Sequence, residues 1–351
     1  MTMDQRAQQI TDGCMKRAVE LLAIDSPTGY TWMAAEHVTD AYRIMGLDPE
    51  ITRKGGVLVC LNPDAPEDDA VLLEAHVDTL GGMVTEITGS GRLNLTPLGG
   101  MEPNNAEGEN VRVVTRSGRI YTGTFQLKNA SVHVNLDYHS AKREYKSMEV
   151  VIDEEVSSRE DVEKLGIQPG DIVCFDPRTR VTDSGYIKSR FLDDKLSVAI
   201  LLELAARVAS GEIKPSRRVW EHITVFEEVG HGGSASVPEG VTEAISVDMG
   251  CVGDGLDCTE HMVSICAKDS FGPYDYALTT KLAELAKEFE LDYAIDIYPH
   301  YSSDADAALK SGYDIRHGLI GPGVYASHNY ERSHTDGVMN TYHLLKGFVT
   351  Q

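Results

Sequence analysis

The stretch Val71–Gly82, VLLEAHVDTLGG, decides how this chain is read. Its apolar opening has the length and composition of a strand buried on both faces. The run ends at His76 and Asp78, one residue apart, and Gly81 and Gly82 follow. Two readings compete at this point: polar residues that happen to sit where a strand surfaces, or side chains that a strand delivers into a crevice before the glycines turn the chain away. In open α/β sheets, ligands sit beyond the carboxyl ends of strands. Other segments with polar ends therefore bear on the choice.

Several segments end in that way. Asp193 and Asp194 follow YIKSRFL and open a helical run; Glu227 and Glu228 follow HITVF; Asp248 follows AISV; His334 lies in YERSHTDG. Together they offer imidazoles and carboxylates from separated segments. His76 can ligate a metal through one ring nitrogen while Asp78, on the same side of the strand, accepts the other ring N–H. Of the paired aspartates, one can cap the helix starting at Lys195 while the other bridges two cations. The adjacent glutamates are poorly placed for glycosidase chemistry, in which two carboxyls about 5–9.5 Å apart flank the bond and usually come from different segments. Adjacency suits a metal site, where one glutamate ligates and its neighbour takes a proton from water.

The rest of the chain frames these residues. At 351 residues and 42% hydrophobic it can bury one large core or two ordinary ones. Its formal charge of −23 disfavours nucleic acid and anionic lipid as partners. The start, MTMDQRAQQITDG, lacks the pattern of a signal peptide, and no run approaches the roughly 20 apolar residues of a membrane span, so a cytoplasmic protein is expected. Six scattered cysteines without a C-x-x-C pair read as reduced thiols. Helical spacing is expected over Arg6–Ile24 and Met33–Met45, and DDKLSVAILLELAARVAS reads as an amphipathic helix. Strand and helix alternate after about residue 186, whereas the region from 83 to 185 shows frequent turns and strand-like pieces, among them VHVNL. The expected organisation is an α/β domain, mixed-sheet, split into residues 1–82 and 186–351, with a barrel-like β-rich domain inserted at 83–185.

In chain order, AHVDTLGG, RFLDDKLS, FEEVGHGG, SVDMG and YERSH resemble the metal-binding motifs of the M42 metallopeptidases, the glutamyl and tetrahedral aminopeptidase group. KDSFGPYD, SSDADAA and GLIGPGVYASHNYERSH extend the similarity over most of the α/β part. M42 enzymes insert their β-rich domain between the first and second metal motifs, where the long gap between Asp78 and Asp193 falls here. The resemblance makes Asp193 the bridging carboxylate, His76 and Asp248 the rest of one metal site, and Glu228 and His334 the rest of the other. It makes Glu227 the general base and Asp78 the partner of His76. Two divalent ions are implied, zinc by preference with cobalt or manganese as alternatives, and with them hydrolysis of N-terminal residues from short peptides through a metal-bridging water. A dimer-based homo-oligomer, up to a dodecamer, is implied through the inserted domain. Thr79, Lys195 and His231 depart from the common family pattern near the site and bear on substrate preference; His231 reads as a loop histidine. A hydrolase of a small amide, dipeptide or acylated amino acid using the same dinuclear site, and an endoglucanase-type glycosidase, are the alternative functions.

Overall fold

The computed structural model describes residues 3–351. The chain divides into two compact units, one ending at Asp78 and resuming at Arg178–Gln351, the other Thr79–Pro177. Both junctions fall somewhat earlier than the sequence suggests. Gly81–Ile87 is already a strand of the inserted unit, and Arg180–Val181 pairs with Tyr186–Ser189, which in turn pairs with Glu331–His334 and ties both to the larger unit.

Among the described residues, the larger unit holds a twelve-stranded mixed sheet. Its centre is four parallel strands in the spatial order Val219–Thr224, Ala70–His76, Val241–Val247 and Arg316–Tyr325. Every residue of Ala70–His76 is buried, as an apolar run flanked by parallel partners requires. Thr224 lies opposite His76 and Val247 opposite Ile320, so the carboxyl ends of all four strands come out on one side of the sheet.

The helix Leu192–Ala209 lies against Ala70–His76 and packs with Met3–Leu22 and Thr335–Thr350. It is buried from Leu192 through Ala205, rather than amphipathic as expected, because helices cover the side that would otherwise face water. Each fully buried Leu or Ile on it contributes about 1.5–3 kcal/mol, which holds the helix start in place. Lys195, read as a departure near the site, points elsewhere. Its Nζ donates to the Leu21 and Ile24 carbonyls at 3.1 and 2.6 Å, satisfying the end of the first helix.

The ten-residue strand Arg316–Tyr325 was not legible as a strand, because Gly318, Gly321, Pro322 and Gly323 interrupt its pattern. Packing explains Gly321: a Cβ there would overlap the Asp248 carbonyl oxygen. The close approach brings the ends of two strands together.

The inserted unit is a closed six-stranded antiparallel barrel of Gly81–Ile87, Leu93–Leu98, Met148–Ile152, Ile120–Leu127, Glu109–Val114 and Ile172–Phe175. Phe125 and Phe175 pack edge to face at its centre, 5.6 Å apart. Gly82 does not turn the chain. It lies in the first barrel strand, where a Cβ would come within 3.1 Å of Leu95. VHVNL forms turns rather than a strand, leaving Val134 and Leu136 68% and 99% exposed. Among the described residues, no helix is long and apolar enough to cross a membrane.

Candidate metal centre

Four parallel strands and one helix start converge on a cleft of about 370 Å³ whose lining includes Asp193, Glu227, Glu228, Asp248 and His328. Backbone in the left-handed region recurs where the elements end, at Phe191 (φ 68°), Phe226 (φ 72°) and His328 (φ 61°). Such outliers are costly for non-glycine residues and tend to collect at functional sites. Here they sit at or immediately around the polar side chains of the cleft.

Asp193 is the hub. Its Oδ1 lies 3.2 Å from His76 Nε2 and its Oδ2 3.5 Å from His328 Nε2, so the two carboxylate oxygens face two different imidazoles. Ligand atoms of His76, Asp193 and Asp248 lie within 4.8 Å of one another. On the other side, Glu228 Oε2 is 3.5 Å from the same His328 nitrogen. Glu227 Oε2 approaches His76 Nε2 to 3.8 Å.

Neighbouring groups fix these side chains. His76 Nδ1 lies 2.9 Å from the Asp78 backbone carbonyl, while the Asp78 carboxylate stands 3.6 Å off. That carboxylate accepts instead from the Glu227 backbone N–H (3.1 Å) and the Thr28 hydroxyl (2.7 Å). Asp78 thus couples the His76 strand to the glutamate loop, and its main chain takes the ring partnership expected of its side chain. Asp194 Oδ2 accepts from the His76 backbone N–H at 3.1 Å. Glu331, which the sequence reading passed over, accepts from the Asp193 N–H and the His328 N–H, both at 3.1 Å. Asp304 accepts from Gly233 N–H (2.7 Å) and Thr224 Oγ1, and Lys54 donates to the His231 and Gly232 carbonyls. These contacts hold the glutamate loop from behind. His231 stacks on Phe226, 5.1 Å between ring centres.

Burial dominates the electrostatics of this set. Burial, with the Asp193 charge added, pushes the Glu228 carboxyl up to about 8 and that of Asp248 to about 7. Burial, then the charges of Asp304, Asp248 and Glu228, raises Glu227 well above the usual carboxylate range. Burial opposes charge on Asp193 too, but hydrogen bonds to His328 and His76 outweigh it and hold that carboxyl well below its ordinary value. For His328 burial is likewise outweighed, by Asp193 and Glu228, and its imidazole is raised to about 10. A buried set of carboxylates that must otherwise take up protons is one that cations would neutralise. Mixed imidazole and carboxylate donors suit zinc and its neighbours.

His334 does not join this cleft. It caps the helix Thr335–Thr350, with Nδ1 accepting from the Asp336 N–H, and its ligand atom groups with those of His261 and Asp336. His328, six residues earlier and directly beyond the strand Arg316–Tyr325, occupies the place expected of His334. The strand had to be seen before the histidine at its carboxyl end could be.

The sequence profile of the M42 glutamyl aminopeptidases matches residues 55–344. The chain belongs to the M42 family. An M42 relative is a Bacillus subtilis (strain 168) protein named "Putative aminopeptidase YhfE", 44% identical over 335 residues, covering 95% of this chain and 96% of that protein. Lysyl aminopeptidase of Pyrococcus furiosus is 25% identical over 230 residues, covering 64% and 63%. Among solved structures, the Pyrococcus horikoshii TET1 peptidase, which can assemble into a tetrahedron or a large octahedral shell, shares the fold with a TM-score of 0.84 at 22% identity, covering 96% of this chain and 99% of that one. Membership of M42 makes the chain a peptidase, a hydrolase dependent on divalent metal.

Proposed function

We propose that the chain is an aminopeptidase of short peptides with two metal ions in the cleft, His76, Asp193 and Asp248 holding one and His328, Asp193 and Glu228 the other. The observation that carries this reading is Asp193, whose two oxygens face His76 and His328 at 3.2 and 3.5 Å. Two divalent cations, with zinc favoured by the donor set, would lower the pKa of water and polarise the scissile carbonyl.

The chain's own residues supply the rest. Glu227, adjacent to Glu228 on a loop anchored by Asp78, takes the proton of the attacking water and passes it to the leaving amine. The carboxylates around the cleft favour the cationic free amine of a peptide N-terminus over a blocked one. Asp78 and Glu331 act as positioning residues through backbone N–H groups. The endoglucanase and small-amide alternatives are not favoured: Glu227 and Glu228 face imidazoles within a metal-type cluster, and the M42 relatives are named as aminopeptidases.

The inserted barrel is proposed to carry assembly contacts, supported by the exposed Val134 and Leu136 and by the shells that TET1 forms. Six cysteines outside any disulfide fit a cytoplasmic setting. The test of the activity is turnover of aminoacyl amides with free and N-acetylated termini, before and after chelation, alongside metal content. Chelator-sensitive turnover confined to free amines supports the reading. Turnover of blocked substrates alone, or turnover without metal, contradicts it.

A further inference from the structure

His334 and its neighbours make a second histidine and carboxylate cluster. One ligand atom each from His261, His334 and Asp336 lie within 4.8 Å of one another. Asp336 Oδ2 is 2.8 Å from His261 Nδ1 and 3.2 Å from His334 Nδ1, and the two rings lie 4.1 Å apart, centre to centre. Each ring turns its other nitrogen to an oxygen: His334 Nε2 donates to the Ser184 carbonyl at 2.8 Å, and His261 Nε2 lies 3.2 Å from the Tyr186 hydroxyl.

His334 Nε2 faces a carbonyl and carries its proton there, which leaves Nδ1 unprotonated; His261 Nδ1 donates to the Asp336 carboxylate, and an ion would take the place of that proton. Two ring nitrogens and a carboxylate oxygen then converge, with the Asp336 backbone N–H donating to His334 Nδ1 at 3.1 Å until an ion takes that lone pair. Metal-bound histidines are oriented by the same device, the outer ring N–H tied to an oxygen. We propose that His261, His334 and Asp336 bind one divalent transition-metal ion, in a site separate from the cleft and independent of the role assigned to it. Two imidazoles and one carboxylate suit zinc, cobalt or nickel better than magnesium or calcium. The His261 and Asp336 side chains are 41% and 58% exposed, so the ion enters from solvent and keeps a position for water.

The site joins three segments of the larger unit: the 182–186 turn, through Ser184 and Tyr186; the loop that carries His261; and the start of Thr335–Thr350, which packs on the helix bearing Asp193. Its role is that of a structural clip. A plain hydrogen bond between His261 and Asp336 is the competing arrangement, and metal counting separates the two.

Full-length protein is stripped of metal, saturated with cobalt(II), freed of excess by gel filtration and assayed for cobalt per chain, alongside the variants His261→Ala and Asp336→Asn. Both variants are expected to hold one equivalent less than the unsubstituted protein. Equal cobalt content in all three, together with identical zinc-dependent melting shifts, overturns the proposal. Because an open site can lose its ion during filtration, zinc-dependent thermal melts serve as the second measurement. Zinc is expected to raise the melting temperature of the unsubstituted protein by more than that of His261→Ala, and identical shifts count against the site.

Discussion

Two clusters of the same side-chain types, imidazole and carboxylate, stand in the same unit and differ in where the fold puts them. In the cleft, the His76 and Asp193 side chains are 2% and 9% exposed; at the start of the C-terminal helix, those of His261 and Asp336 are 41% and 58% exposed. Burial forces the cleft charges to be settled among themselves, which is why Glu228, Asp248 and His328 depart so far from their ordinary titration. In the outer cluster His334 is buried, but water screens His261 and Asp336. On the proposals above, the same donors give a coupled, activating centre in one place and a clip in the other.

The largest expected effect lies in the buried cluster. Glu227→Gln keeps the shape of the side chain and removes its basicity, so kcat falls by about 10²–10⁴ while metal content is unchanged. Steady-state kinetics with paired metal analysis check this; a variant that keeps its rate would remove Glu227 from the proton path.

Glu221 separates burial from chemistry. It is fully buried on Val219–Thr224, accepts from the Tyr42 hydroxyl at 2.7 Å, and burial raises its carboxyl from the ordinary 4.5 to about 8. A carboxyl raised by folding favours the native state below about pH 4.5, and that contribution is lost as pH rises through about 8. Glu221→Gln removes the titration. The variant is expected to match the unsubstituted protein at pH 5 and to exceed its stability at pH 8 by on the order of a few kcal/mol. Urea unfolding at the two pH values decides, and a difference that does not change with pH breaks the argument from burial.

The smallest effect belongs to the outer cluster. Asp336→Asn, on an exposed side chain outside the cleft, is expected to change turnover by no more than about twofold and stability without added metal by about 0.5 kcal/mol or less. A loss of turnover comparable to that of Glu227→Gln would erase the distinction between the clusters.

How much of this was legible depended on local pattern. Ala70–His76, Val219–Thr224 and Val241–Val247 announce themselves as apolar runs with abrupt polar ends, and His76, Glu227, Glu228 and Asp248 were read from those ends. The structure brings them together with Asp193. Arg316–Tyr325 does the same work with three glycines and a proline that conceal the strand; Gly321 is demanded by the backbone approach to Asp248 and Gly323 by that of the Thr259 carbonyl. His328 beyond it was therefore missed, and His334, also within a polar segment, stood in for it. Glu331 and Asp304 act through hydrogen bonds to distant backbone, for which no local pattern exists. The all-round burial of Leu192–Ala209 was equally hidden, since it depends on the neighbouring helices.

The central claim is that Asp193 is shared between His76 and His328, with His334 outside the cleft. It is tested most directly by comparing His328→Ala and His334→Ala in turnover of an unblocked aminoacyl amide, each variant first checked for native circular dichroism. His328→Ala is expected to lose at least about 10²-fold in kcat/KM, as removal of a metal-holding side chain should, and His334→Ala to stay within about tenfold of the unsubstituted protein. A folded His334→Ala that is inactive beside an active His328→Ala would contradict the account.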